Sequence, residues 1–93
     1  MDLANVIKTN NAVVVDVRSR GEYLGGHVVD SINIPLDEIP ARWTELKQIE
    51  KPIILCCASG NRSGQATRFL LQQGMSNVHN GGSWFDVNFY KNN

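Results

Sequence analysis

The stretch KPIILCCASGNRSGQATRFLLQQG, residues 51–74, decides the fold of this chain. Its apolar run at residues 53–55 leads into two neighbouring cysteines and predicts a buried strand. The segment at residues 65–74 has helical periodicity and ends at a glycine, as helices commonly do. Only a short loop joins the two, so this stretch predicts a strand–loop–helix unit of a parallel sheet.

The predicted helix has a buried face of four residues at helical spacing: Ala66, Phe69, Leu70 and Gln73. Met75 follows Gly74 and is placed for a hydrophobic contact beyond the helix end. The loop therefore lies where a strand C-terminus meets a helix N-terminus, the usual place for ligands in such sheets.

The rest of the chain repeats this alternation of strands and helices. A short helix is predicted near the N-terminus, and the β-branched run at residues 12–17 predicts a strand covered on both faces. Ser19 and Glu22 have capping-box spacing, which indicates a second short helix at residues 20–24. SINIP, residues 31–35, is typical of a short strand.

Two further elements complete the predicted order. Ile39, Trp43 and Leu46 fall at helical spacing, which predicts a helix with Trp43 in the core. SNVH, residues 76–79, predicts a last strand before an NGGS turn. The expected fold class is α/β, with a small, mostly parallel sheet and helices on both faces.

Composition excludes several classes of protein. The 93 residues suit one domain, and nine basic residues balance nine acidic ones. No charge excess attracts nucleic acid or an anionic membrane, and no apolar run approaches the length of a membrane span.

The N-terminus lacks a signal-peptide pattern, so we expect a cytoplasmic protein. The alternative is a periplasmic protein whose export signal has been removed.

The two cysteines predict neither a disulfide nor a metal site. A bond between Cys56 and Cys57 would close a strained ring, and the pair lacks the spacing of zinc ligands. Strand alternation turns the two side chains to opposite faces. We therefore expect Cys56 to fill the core, Cys57 to serve the loop, and the protein to need no cofactor.

The loop has the chemistry of an anion cradle. The residues that follow the cysteine all carry a backbone N–H: Ala58, Ser59, Gly60, Asn61, Arg62 and Ser63. Gly60 permits positive φ, and a helix beginning near Arg62 or Ser63 adds positive potential. A cysteine beside helix N-termini and cations is ionised more readily than the free amino acid, so Cys57 at the rim of the cradle is a candidate nucleophile. We expect the backbone of the serines and asparagine to bind, rather than their side chains.

Several motifs, taken in order, resemble the single-domain rhodanese-like sulfurtransferases. They are VVDVRSRGEYLGGHVVDSINIP at residues 14–35, CASGNRS at 57–63 and VHNGG at 78–82. SGQA after the loop and the short tail are most similar to the small phage-shock type of thiosulfate sulfurtransferase. The resemblance covers nearly the whole chain and implies a single rhodanese-like domain, residues 1–93, with a three-layer sandwich.

The resemblance implies that Cys57 takes a sulfur atom from thiosulfate or a similar donor, forms a persulfide and passes the sulfur to cyanide or a thiol. A protein donor or acceptor is a further implied partner, and we expect a monomer. Two departures stand out: Ala58 is neutral where members tuned to thiosulfate carry a basic residue, and Trp84 follows the glycine pair by two residues instead of four.

Two other functions fit parts of the pattern. A cysteine-based phosphatase also cradles a dianion, but its loop places five residues between cysteine and arginine, whereas four separate Cys57 from Arg62. The neutral Ala58 would suit a sulfur-carrier module that receives its sulfur from a partner protein.

Residues outside the loop have mainly structural roles in this interpretation. We expect Asp16 and Arg18 to form a structural pair and His27 to pack in a turn. Trp84 has two possible roles, as a lid on the core or as a wall of the pocket.

Overall fold

A computed structural model describes residues 3–8 and 11–92, which form an α/β three-layer sandwich. The strands are β1 (Val13–Asp16), β2 (Ile32–Asn33), β3 (Ile53–Cys57) and β4 (Val78–Ser83). The helices are α1 (Leu3–Lys8), α2 (Arg20–Leu24), α3 (Ile39–Lys47), α4 (Asn61–Gln72) and α5 (Trp84–Lys91), with a 3-10 turn at Leu36–Glu38.

The strands form one sheet in the order β2-β1-β3-β4, and every pairing among the described strands is parallel. Parallel strands keep their C-terminal ends at one edge, so the loops after β1, β3 and β4 lie together. The α/β class with a parallel sheet, predicted from the alternation, is confirmed.

Two hydrophobic clusters cover the two faces of the sheet. The α3/α4 cluster comprises Val15, Val17, Ile34, Ile39, Leu46, Ile53, Leu55, Cys57, Ala66, Leu70 and Val78. The α1/α5 cluster comprises Ile7, Ala12, Val14, Val28, Ile54, Cys56 and Val87. Successive β3 residues alternate between the clusters because side chains along a strand point to opposite faces. Cys56 and Cys57 therefore belong to different clusters, as predicted.

The helix after the loop differs from the prediction at both ends. It begins at Asn61, one residue earlier than expected, and Gln73 is exposed instead of lying on the buried face. Gln73 is the C-cap, so it lies beyond the turns that pack on the sheet. Gly74 follows with φ +97°, and Met75 packs against the α3/α4 cluster as predicted.

The prediction of a turn at NGGS was wrong. β4 continues through both glycines to Ser83, with a register irregularity between Leu55 and Cys56 of β3. Asn80 pairs with Leu55 and Gly82 with Cys56, which leaves Gly81 unpaired. A Cβ on Gly81 would lie 2.6 Å from a methyl of Ile54, so only glycine fits this bulge.

Candidate active site

The loop after β3 is held in place by two elements at the C-terminal edge of the sheet. Cys57 is the last residue of β3, and α4 begins four residues later at Asn61. Gly60 caps this helix with φ +98°, a conformation that favours glycine. A Cβ there would also lie 3.3 Å from the Cα of Gly82, so the loop packs closely against β4. These constraints curl the chain around the end of the Cys57 side chain.

The sulfur of Cys57 is surrounded by hydrogen-bond donors. The N–H of Gly60 donates to Sγ at 3.0 Å and the N–H of Ser63 at 3.4 Å. The Ser63 hydroxyl oxygen lies 3.4 Å from the same sulfur. Burial raises the pKa of Cys57, but the bonds from Ser63, Ser59 and Gly60 outweigh it and lower the pKa from 9.0 to about 7. Cys57 is therefore ionised at neutral pH to a larger extent than an ordinary cysteine.

The position of this sulfur differs from the prediction in one respect. We expected it at the rim of the cradle, yet Cys57 is only 1 % exposed. Ala58, Ser59 and Asn61 are exposed around it, and Gly60 is half-buried. The sulfur therefore forms the floor of the cradle, because the short loop folds over the strand end.

Asn80 of β4 takes part in the loop and was missed from the sequence. Its side-chain amide donates to the carbonyl of Gly60 at 3.0 Å. Its Oδ1 accepts from the Ser63 hydroxyl at 2.6 Å and from the N–H of Gly82 at 3.0 Å. The Ser63 side chain thus links the loop to β4, and the expectation that the loop binds its ligand through the backbone stays a prediction. The signal available was the asparagine directly before the glycine pair.

Arg62 lies at the start of α4, where the prediction placed a ligand-binding cation. Its guanidinium donates to both carboxylate oxygens of Glu22, at 2.7 and 3.1 Å. Glu22 also completes the predicted capping box with Ser19. The Arg62 bond and the bonds from Ser19 lower the pKa of Glu22 to about 2, so its carboxylate is ionised at neutral pH.

A buried ion pair supports the edge of the sheet beside the loop. The Arg18 guanidinium donates to Asp16 at 2.7 Å and to the carbonyl of Gly26 at 2.7 Å, and both charged residues are buried. Arg18 also lies over the Trp84 ring, 4.8 Å from its centroid. The predicted structural pairing of Asp16 with Arg18 is confirmed. Trp84 packs against the α1/α5 cluster, and its ring contacts the Arg18 side of this pair.

The neighbouring thiol differs sharply from Cys57. Cys56 is fully buried in the α1/α5 cluster, and burial raises its pKa to about 12.

The two histidines lie outside the loop. His27 stacks on the Tyr23 ring and stays exposed, while His79 contacts the side chain of Asn77. Within residues 3–8 and 11–92, no cluster of His, Cys, Asp or Glu has the arrangement of a metal site. No helix in the same ranges is long and apolar enough to span a membrane.

Comparison with known proteins identifies relatives of this chain. The chain is 32 % identical over 89 residues to the thiosulfate sulfurtransferase GlpE of Pseudomonas fluorescens, covering 90 % of this chain and 76 % of the relative. It is 35 % identical over 72 residues to a sulfurtransferase of Allochromatium vinosum, covering 77 % of this chain and 66 % of the relative. A third curated relative, of Bacillus subtilis, is covered over 54 % of its length, so the chain spans roughly half to three quarters of these proteins.

A solved structure described as rhodanese with anions from E. coli superposes with a TM-score of 0.73 at 34 % identity. The superposition covers 81 % of this chain and 89 % of that one. The family model for the rhodanese-like domain matches residues 2–85. The chain therefore belongs to the rhodanese-like domain family.

Proposed function

We propose that this protein is a sulfurtransferase that carries sulfur as a persulfide on Cys57. The observation that carries the proposal is the set of N–H donors converging on one thiol whose pKa is lowered to about 7. An ionised thiol is the nucleophilic form of cysteine, and no neighbouring histidine base is needed to produce it.

With thiosulfate as donor, the reaction is a displacement at sulfur. The Cys57 thiolate attacks the outer sulfur atom and forms a new S–S bond. The bond between the two thiosulfate sulfurs breaks, and its electron pair leaves with sulfite. The product is a cysteine persulfide, whose terminal sulfur then passes to cyanide or a thiol, and the electron pair of the broken bond returns the Cys57 thiolate.

The cradle suits both halves of this reaction. Negative charge lies on the attacking sulfur at the start and on the terminal persulfide sulfur at the end. Backbone N–H groups of residues 58–63 and the start of α4 offer fixed positive dipoles for that charge without reorganising. We assign donor binding to this backbone and to the side chain of Arg62.

The spacing of the loop favours sulfur over phosphoryl transfer. Four residues separate Cys57 from Arg62, one fewer than in phosphatase loops. The tighter ring suits one sulfur atom better than a phosphoryl group with three oxygens, which counts against a phosphatase.

A sulfur-carrier role is a second candidate, supported by the neutral Ala58 and the buried sulfur. In that role a partner protein, and not a small anion, would deliver the sulfur. The two candidates share the Cys57 persulfide and differ in whether thiosulfate alone forms it.

Intact-mass spectrometry tests the proposal directly. The reduced protein should gain one sulfur atom on incubation with thiosulfate and lose it on addition of cyanide. Cys57→Ser should do neither, while the matched control Cys56→Ser should behave as the native chain. A mass gain that survives in Cys57→Ser, or hydrolysis of an aryl phosphate that requires Cys57, would overturn the assignment. A gain seen only with a persulfide-bearing partner protein would establish the carrier role.

A further inference from the structure

Arg62, the cation to which we assign donor binding, is paired with the carboxylate of Glu22. Arg62 directly precedes Ser63, whose N–H points at the reacting sulfur. Its planar guanidinium presents two donors side by side, a fork that matches two oxygens of a carboxylate or of a sulfonate-like group equally well. Two of its five N–H donors, one on Nη1 and one on Nη2, bind the two oxygens of Glu22.

We propose that Glu22 is a specificity-determining residue that competes with anionic sulfur donors for the guanidinium of Arg62. The inference rests on the proposed sulfurtransferase function. Glu22 occupies the Nη1/Nη2 fork and offsets the positive charge of the guanidinium, so the sulfonate end of thiosulfate competes with a resident carboxylate for Arg62. A donor without negative charge meets no such competition.

The contact can be displaced without disturbing the fold. The Arg62 and Glu22 side chains are 35 % and 39 % exposed, and solvent-exposed ion pairs are weak. Arg62 also borders an open groove of about 520 Å³ whose other walls include Ser19, Pro35 and Glu38, so its side chain is open to solvent on that side.

Glu22 also takes part in the cap of α2, and this second role guides the choice of substitution. The Glu22 Oε1 accepts from the N–H and the hydroxyl of Ser19, which caps α2. Glutamine serves the capping box as well as glutamate does. Glu22→Gln therefore keeps the cap and the size of the side chain, and it removes the negative charge and one of the two oxygens that bind Arg62.

Glu38 provides a matched control. It borders the same groove and pairs with Arg20 at 2.7 Å and with Arg42 at 2.9 Å, but it makes no bond to Arg62 in the described structure. Glu38→Gln removes one negative charge from the groove that Arg62 borders and leaves the Arg62 fork occupied by Glu22.

The experiment follows single-turnover modification of Cys57 by mass spectrometry with two probes. Thiosulfate adds one sulfur atom and releases sulfite, whereas a neutral organic trisulfide forms a mixed disulfide with Cys57 and releases an organic persulfide. For Glu22→Gln we expect the half-saturating thiosulfate concentration to fall about two- to five-fold, with an unchanged maximal rate and unchanged trisulfide kinetics. Glu38→Gln should match the native chain with both donors. Arg62→Gln should raise the half-saturating thiosulfate concentration, and adding Glu22→Gln to it should change nothing further.

Three results would overturn the inference. One is an unchanged or higher half-saturating thiosulfate concentration in Glu22→Gln, and another is an equal change with the trisulfide. The third is a fall in Glu22→Gln that persists in the Arg62→Gln background. If any of these occurs while the native chain forms the persulfide, the proposed function stands. Absence of a persulfide from thiosulfate in the native chain overturns the function as a thiosulfate sulfurtransferase and the inference together.

Discussion

Replacing Ser63 by alanine should raise the pKa of Cys57 and slow its reaction at neutral pH. The Ser63 hydroxyl has one proton and two acceptors, Oδ1 of Asn80 at 2.6 Å and Sγ of Cys57 at 3.4 Å. While Cys57 is a thiol, its S–H can donate to Ser63 and the hydroxyl to Asn80. Once Cys57 ionises, the hydroxyl proton is drawn to the sulfur, because hydrogen bonds to a charged acceptor are stronger.

The size of the effect follows from this exchange of bonds. A hydrogen bond to a charged group contributes about 1.5–3 kcal/mol, and the neutral bond given up to make it about 0.5–1.5 kcal/mol. The net preference for the thiolate is then about 1.4 kcal/mol, or roughly one pKa unit. Ser63→Ala should therefore move the pKa of Cys57 from about 7 to roughly 8.

The assay is the rate of alkylation by iodoacetamide as a function of pH, with the modified peptide identified by mass. A thiolate of higher pKa is scarcer at neutral pH but intrinsically more nucleophilic. Near neutral pH the variant should react at about half the native rate, and well above its pKa about two to three times faster. The two profiles should cross between about pH 7 and 8.

Thr67→Val is the matched control. Thr67 is one turn further along α4, and its hydroxyl donates to the Ser63 carbonyl at 2.7 Å without reaching the sulfur. Its removal should leave the alkylation profile of Cys57 unchanged. If Ser63→Ala leaves the pKa of Cys57 unchanged or lowers it, the hydroxyl stays on Asn80 in both ionisation states and the reasoning fails.

Two further predictions concern stability, measured by urea unfolding. Asp16→Asn should lower the free energy of unfolding by about 3–5 kcal/mol, because it leaves the buried Arg18 charge without its partner; a loss below about 1 kcal/mol would contradict this account. Gly81→Ala should lower it by about 1–3 kcal/mol or more, since the new Cβ would press on Ile54. Gly21→Ala, in α2 with open space around it, should be neutral or stabilising by up to about 1 kcal/mol.

The central strands and the cap of α2 could be predicted because their signals are local. The apolar runs of β1 and β3 are continuous, as expected of strands covered on both faces. The Ser19 and Glu22 spacing specifies a capping box on its own, and the structure contains it. Alternation along β3 likewise assigns Cys56 and Cys57 to opposite faces without any knowledge of the partners.

The contacts that complete the candidate site are long-range, and they could not be predicted from spacing. Ser63 and Asn80 are 17 residues apart, and Glu22 and Arg62 are 40 apart. Both contacts depend on the strand order that places the ends of β1, β3 and β4 side by side. β4 itself contains two glycines and has weak strand propensity, so its extended form at the glycines comes from pairing with β3.

The contrast between the two adjacent thiols bears on whether a persulfide could persist in this protein. A thiolate beside a persulfide can attack its inner sulfur, forming a disulfide and releasing hydrosulfide. Cys56 is the nearest thiol along the chain, but it faces the α1/α5 cluster, and burial raises its pKa to about 12. It is therefore protonated at neutral pH and points away from the cradle, and a disulfide between neighbours would be strained. The alternation of β3 thus separates the two thiols and would keep Cys56 from discharging a sulfur carried on Cys57.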